Sequence, residues 1–141
     1  MIECCRRVQF CSGHRVLNHE SKCANMHGHN YVAMFHAVSE QLDSIGRVID
    51  FSVLKERLGG WIDQYWDHTF IVNHDDSEVI SALEAVSRKK PYFVAEWNPT
   101  AENMASYLLY VVAPKELSGT GITVRKVQLW ETENCFVEVC L

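Results

Sequence analysis

The sequence has no long basic run and no excess of positive charge. Its 13 Lys and Arg residues stand against 18 Asp and Glu residues, for a formal net charge of −5. A nucleic-acid surface requires concentrated positive charge, so no nucleic-acid partner is expected. No apolar run approaches the ~20 residues of a membrane-spanning helix, so no membrane partner is expected either. Repeats and low-complexity segments are missing too, which favours one domain over residues 1–141.

The six cysteines form no C-x-x-C pair, and no charged-then-apolar leader opens the sequence. Redox-active and many zinc-binding cysteines occur in such pairs, whereas secreted disulfide scaffolds follow a leader. We therefore expect a cytoplasmic protein whose cysteines are free thiols.

Reactive side chains are concentrated between Cys23 and Tyr31, where His27 and His29 flank Gly28. In an extended chain, two histidines separated by one residue project from the same face. Zinc catalysis usually requires three protein ligands and an open position, so a third histidine must come from elsewhere. His14, at the end of an alternating strand-like segment, is the best candidate. The residues thus predict a zinc ion bound by His14, His27 and His29.

The role of Cys23 stays open on the residues alone. Its thiol could be a zinc ligand, a nucleophile, a general base or an inert group. With three histidines available to the metal, the thiol is free for chemistry. As a closing fourth ligand, it would instead make the site a structural zinc module without catalytic function.

Hydrophobic periodicity predicts two strand pairs separated by helices. We expect strands over residues 3–12, 30–39, 122–131 and 134–141, and helices over 50–66, 75–88 and 98–113. Gly59-Gly60 predicts a bend or a close contact in the first helix. Asp75-x-x-Glu78 resembles a capping box, and Pro114 is expected to end the last helix. The order predicts an α+β fold, a four-stranded antiparallel sheet with two main helices on one face.

Short motifs along the whole chain resemble the family of 6-pyruvoyl- and 6-carboxy-tetrahydropterin synthases. The resemblance is carried by Phe10-x-x-x-His14 and by Lys22-Cys23-x-x-x-His27-Gly-His29-Asn-Tyr31. It continues, in the family's order, through these segments: Val48-Ile49-Asp50-Phe51, Trp66-Asp67-His68, Asn98-Pro99-Thr100-Ala101-Glu102-Asn103 and Trp130-Glu131-Thr132.

The resemblance implies the tunnelling fold, in which the sheets of several copies join edge to edge as a barrel. It implies a homo-oligomer, a hexamer built as a dimer of trimers. The implied substrate is 7,8-dihydroneopterin triphosphate. Three residues separate Cys23 from His27, which resembles the carboxy branch of queuosine synthesis. That branch releases acetaldehyde. The alternative is the pyruvoyl branch, which leads toward tetrahydrobiopterin.

Residue roles follow from chemistry and resemblance together. Cys23 is expected to act as general base, with His68 as partner acid or base oriented by Asp67, provided that the backbone there is not extended. Glu131 would bind the N–H groups of the pterin ring. Three further substrate contacts are expected: Thr100 across a subunit boundary by analogy, and Arg15 and Lys22 at the phosphates because they flank the zinc site.

A cupin-type oxygenase also uses an H-x-H pair. It would need a glutamate soon after that pair, and the first acidic residue after His29 is Glu40. The sequence therefore does not favour a cupin.

Overall fold

A computed structural model describes residues 1–141, which form a six-stranded sheet in the order β4-β3-β1-β2-β5-β6. The strands are β1 (Ile2–His14), β2 (His27–Ser39), β3 (Thr69–Asn73), β4 (Phe93–Ala95), β5 (Thr123–Thr132) and β6 (Cys135–Cys140). The antiparallel unit β1-β2-β5-β6 confirms the four predicted strands. The prediction of only four strands is wrong, because β3 and β4 extend the sheet in parallel. Five- and three-residue strands are too short for their periodicity to reveal them.

The pairing of β1 with β2 determines the place of the histidines. His14 lies opposite His27, and Ser12 lies opposite His29. Because side chains alternate along a strand, these four residues share the face that also buries Phe10 and Tyr31. The histidines therefore lie at one end of the buried face of the sheet.

The first long helix covers that face. It comprises α1 (Phe51–Leu54), a π-helical turn (Lys55–Gly59) and α2 (Gly60–Tyr65), and Asp50 caps its start by accepting from the Ser52 amide. At Gly59-Gly60 the structure shows an irregular helix rather than a close contact: the π-helical turn ends at Gly59, and a Cβ there would lie 3.7 Å from Val8, an ordinary van der Waals distance. The π turn places Gly59 directly over β1.

The second long helix comprises α4 (Ala101–Tyr107), a π-helical turn (Leu108–Val112) and α5 (Ala113–Glu116). The prediction that Pro114 ends this helix is wrong, since the helix continues to Glu116. The π turn ends at Val112, so Pro114 lies in the first turn of α5. A residue without a backbone N–H is tolerated there. Both long helices pack on a 24-residue core that includes Trp66, Met104 and Leu129.

Helix α3 (Ser77–Ala85) forms a small second core in which Val79 and Leu83 pack with Val72 of β3. The predicted capping box is wrong by one residue: Asp76, not Asp75, caps α3 by accepting from the Val79 amide. Asp76 is also buried and ion-paired, which a sequence pattern cannot show.

No helix is both long and apolar enough to cross a membrane. The structure contains no disulfide, and all six cysteines are free thiols, as expected.

Candidate metal centre

Three imidazoles converge where β1 and β2 meet. The candidate ligand atoms of His14, His27 and His29 all lie within 4.8 Å of one another. His14 is 3% exposed, and the other two histidines are half-buried. The structure thus brings together the three histidines that were predicted as zinc ligands.

Backbone carbonyls determine which ring nitrogens face the centre. His14 Nδ1 donates to the Pro99 carbonyl oxygen at 2.6 Å, and His27 Nδ1 donates to the Asn25 carbonyl oxygen at 2.6 Å. In the neutral rings, each Nε2 therefore carries a lone pair and no proton. These two Nε2 atoms lie 3.1 Å apart, and the Tyr31 hydroxyl lies 3.4 Å from His14 Nε2. A metal ion or a proton between the two nitrogens would relieve the repulsion of their lone pairs.

His29 supplies a third ring nitrogen that faces the centre. Its Nε2 is buried and has no hydrogen-bond partner, although such atoms are almost always paired in proteins. Burial lowers the pKa of His29, while the charge of Glu131 opposes that effect. Burial also lowers the pKa of His14 to about 4. Neutral imidazoles are the form that binds metal, so the three residues fit a zinc ion.

Glu131 faces this centre from β5. Its Oε1 lies 3.6 Å from His29 Nε2, and its side chain is 25% exposed. The register of β5 with β6 shifts between Trp130 and Thr132, so Glu131 lies at a bulge. Bulges commonly redirect a side chain next to a functional site. A carboxylate on the buried face of a strand is thereby held beside the histidines.

Asp67 and His68 form a second constellation. His68 has a φ of 57°, so this turn is not extended, and His68 Nδ1 lies 2.8 Å from Asp67 Oδ2. Asp67 Oδ1 accepts from the Cys11 amide at 2.9 Å. Burial opposes ionisation of Asp67, but the hydrogen bonds from Cys11 and His68 outweigh it and lower the pKa of this carboxyl. The condition for Asp67 to orient His68 is met.

His68 lines a cavity of about 420 Å³ that His27 and His29 also line. Cys11, Asn30 and Phe70 contribute side chains to it, and Gly13 lies beneath the Phe70 ring. By strand alternation, His14 and His29 project from the sheet face opposite Cys11 and Asn30. His68 is therefore not one of the three clustered histidines, but it borders the same cavity as His27 and His29.

Cys23 lies in a 3₁₀ turn, Lys22–Ala24, between β1 and β2. Its thiol is half-buried and makes no hydrogen bond to His68 or Asp67 within the chain. Lys22 is exposed in the same turn. Thr100 caps α4, where its hydroxyl accepts from the Asn103 amide at 3.3 Å. Thr100 directly follows Pro99, so it lies beside the histidine cluster.

Arg15 is already engaged within the chain. Its Nε and Nη2 donate to the two carboxylate oxygens of Asp76 at 2.6 and 2.5 Å, and Nη1 donates to Glu78. These carboxylates raise the pKa of Arg15 further, and Arg15 lowers that of Asp76. A phosphate would have to share this guanidinium with Asp76.

Comparison with known proteins gives the family. A family model described as 6-pyruvoyl tetrahydropterin synthase matches residues 3–140. The chain belongs to that family. The resemblance drawn from its motifs is confirmed.

Relatives of this tetrahydropterin synthase family member include proteins named 6-carboxy-5,6,7,8-tetrahydropterin synthase. One from Rickettsia felis is 41% identical over 99% of this chain and 100% of its own length. Another, from Aquifex aeolicus, is 36% identical over 79% of this chain and 72% of its own length. The alignment with the Rickettsia felis relative spans almost the whole chain, and therefore the strands and helices that hold the histidines.

Solved structures agree on the fold. A Wolinella succinogenes protein superposes with a TM-score of 0.82 at 24% identity, covering 99% of this chain and 97% of that one. The Caenorhabditis elegans 6-pyruvoyl tetrahydropterin synthase gives 0.69 at 24% identity, covering 99% and 95%. At this identity the superpositions support the shared α+β fold alone.

Sequence reasoning missed the carbonyl groups that orient the histidines. The sequence gives Pro99 only as a residue of the Asn98–Asn103 motif, and no pattern distinguishes Asn25. No side-chain pattern encodes a carbonyl contact. The Asn98-Pro99-Thr100 motif was nevertheless a usable signal, since it places a turn immediately before a helix.

Proposed function

We propose that this chain converts 7,8-dihydroneopterin triphosphate to 6-carboxy-5,6,7,8-tetrahydropterin, releasing acetaldehyde and triphosphate, with zinc on His14, His27 and His29. The observation that carries the proposal is the convergence of the ring nitrogens of His14, His27 and His29 within 4.8 Å, with the buried Nε2 of His29 lacking a hydrogen-bond partner. The names of the relatives supply the substrate class. We assign the reaction to queuosine synthesis because the Cys23–His27 spacing resembles the carboxy branch, and the free thiols suit a cytoplasmic enzyme.

Zinc bound there supplies Lewis acidity, which makes protons on the substrate side chain easier to remove. Cys23 acts as the general base that removes them, from the turn that joins the two strands that carry the histidines. Glu131 accepts hydrogen bonds from N–H groups of the pterin ring, because its two carboxylate oxygens match two parallel N–H donors. Its position beside His29 brings the ring next to the metal.

His68, oriented by Asp67, serves as the partner acid or base. Because Cys23 makes no hydrogen bond to this pair within one chain, we propose that assembly of several copies completes the site. The edge strands β4 and β6 leave unpaired backbone groups that a barrel would satisfy. A hexamer of two trimers is the assembly we expect. Sedimentation velocity tests it, and a monomer at micromolar concentration contradicts it.

Phosphate binding is the least constrained part of the proposal. Lys22 is exposed beside Cys23 and free to meet a phosphate, whereas Arg15 would have to share its guanidinium with Asp76. Thr100 adds a contact from the start of α4. We propose Lys22 as the principal phosphate contact and Arg15 and Thr100 as secondary ones.

The reaction is tested by incubating zinc-loaded protein with the substrate, identifying the pterin by mass spectrometry and assaying acetaldehyde. Carboxy-tetrahydropterin with acetaldehyde supports the proposal. Pyruvoyl-tetrahydropterin without acetaldehyde assigns the protein to the other branch, which the description of the matching family model names. If folded, zinc-bound protein consumes no substrate, the result favours the alternative in which the chain is a structural zinc module.

Two variants separate metal binding from proton transfer. Cys23→Ala is expected to retain zinc and the fold but to lose turnover. His27→Ala is expected to lose zinc, measured by atomic absorption after dialysis. His74→Ala is the matched control, because this histidine is half-exposed and distant in sequence from the cluster. Wild-type turnover in Cys23→Ala would exclude the thiol as the base.

A further inference from the structure

The segment from Arg15 to Met26 joins two metal-binding histidines and carries the Cys23 thiol. Its only regular structure is the three-residue turn at Lys22–Ala24. The Cys23 carbonyl oxygen accepts from the Val16 amide at 2.8 Å, which closes the segment into a loop. The position of the thiol therefore depends on what holds residues 16 and 17.

The side chain of Asn98 holds them. Its Oδ1 accepts from the Leu17 amide at 2.9 Å, and its Nδ2 donates to the Leu17 carbonyl oxygen at 2.9 Å. Both hydrogen bonds are partly buried. One carboxamide thus satisfies both backbone groups of one residue, as a neighbouring strand would. Only Asn and Gln side chains combine a donor and an acceptor in this way.

The backbone around Asn98 holds the other end of the same site. The next residue, Pro99, accepts the Nδ1 proton of His14. The Asn98 carbonyl oxygen accepts from the Thr100 amide at 2.7 Å and from Asn103 Nδ2 at 2.9 Å. These bonds fix the turn to the start of α4, which packs in the core. One dipeptide therefore contacts both the metal ligand and the loop of the thiol.

We propose that Asn98 is a positioning residue that sets the place of the Cys23 thiol relative to His14, acting through the backbone of Leu17 and Val16. The inference rests on the proposed function, in which Cys23 is the general base. Misplacing a reacting group by about 1 Å can cost about 100-fold in rate. The two hydrogen bonds from Asn98 to Leu17 restrict this loop, which has little regular structure of its own.

The test compares Asn98→Ala and Asn98→Asp with the wild type, all zinc-loaded. Asn98→Asp keeps the acceptor for the Leu17 amide but replaces the donor by an oxygen that faces a carbonyl, so it remains informative if the alanine variant fails to fold. Three quantities are measured: zinc content, the rate at which iodoacetamide alkylates Cys23, read by peptide mass spectrometry, and steady-state kinetics.

Both variants are expected to retain zinc. The Pro99 carbonyl that accepts from His14 is a backbone group, so neither substitution removes it. The alkylation rate of Cys23 should rise about threefold or more as the loop loosens. We expect kcat to fall about tenfold or more, while KM changes by less than about twofold. Asn73→Ala is the matched control, because it also removes an asparagine hydrogen bond to a loop amide, that of Asp75. It should leave all three quantities unchanged.

Unchanged alkylation and unchanged kcat in a folded Asn98 variant overturn the inference and leave the proposed function intact. Loss of zinc in both variants also overturns it, since Asn98 would then act on the metal ligands. If the wild type itself shows no turnover, the proposed function fails, but the alkylation rate still decides whether Asn98 positions the thiol.

Discussion

Acid should destabilise the metal-free protein through His14. This imidazole is 3% exposed, and burial lowers its pKa from 6.5 to about 4. In the unfolded chain the ring has its ordinary pKa, so between pH 6.5 and 4 the unfolded state binds a proton that the folded state does not. Stability contributed by the neutral ring is therefore present above about pH 6.5 and lost as the pH falls toward 4.

The magnitude follows from the difference of about 2.5 pH units. At about 1.4 kcal/mol per unit, the full loss is about 3 kcal/mol, and about 2 kcal/mol of it occurs between pH 7.5 and pH 5. The assay is urea unfolding of chelator-treated protein at both pH values and at one protein concentration. His14→Asn keeps a donor for the Pro99 carbonyl, and it should lose about 2 kcal/mol less than the wild type on acidification.

His74→Gln is the control for this experiment. Its side chain is half-exposed, so the variant should show the acid sensitivity of the wild type. The reasoning is refuted if His14→Asn loses as much free energy of unfolding as the wild type between the two pH values. The buried ring would then be protonated at little cost.

Two further substitutions test packing beside the site by the same urea assay. Asp76→Asn leaves the partly buried Arg15 without its charged partner and should lower the free energy of unfolding by about 1–3 kcal/mol. Gly13→Ala places a Cβ 2.7 Å from Phe70 Cδ1, so the ring must move, at a cost of about 1–3 kcal/mol.

Each of these has a matched control. Glu78→Gln removes the other carboxylate near Arg15, but that side chain is 84% exposed, so less than about 1 kcal/mol is expected. Gly60→Ala adds a methyl where nothing lies within 4 Å, in a helix, and should stabilise by up to about 1 kcal/mol. Equal losses from Asp76→Asn and Glu78→Gln, or from the two glycine variants, would contradict these assignments.

The sequence by itself determined the antiparallel strands and the three histidines. Strand periodicity is local, and the H-x-H spacing places two imidazoles on one face wherever the strand forms. His14 could be predicted because its strand precedes the motif and pairs with it. The contact between Asp67 and His68 depended on a left-handed backbone at residue 68. The sequence indicated only that this contact required a backbone that is not extended.

Only the tertiary structure decided what surrounds those residues. Strands β3 and β4 exist because longer neighbours pair with them, not because their own pattern is strong. Arg15 meets Asp76 across 61 residues, and Asn98 meets Leu17 across 81. Such contacts join side chains or backbone groups that are brought together by packing, and no local spacing records them. The chain therefore encodes its three clustered histidines locally and the contacts that support them at long range.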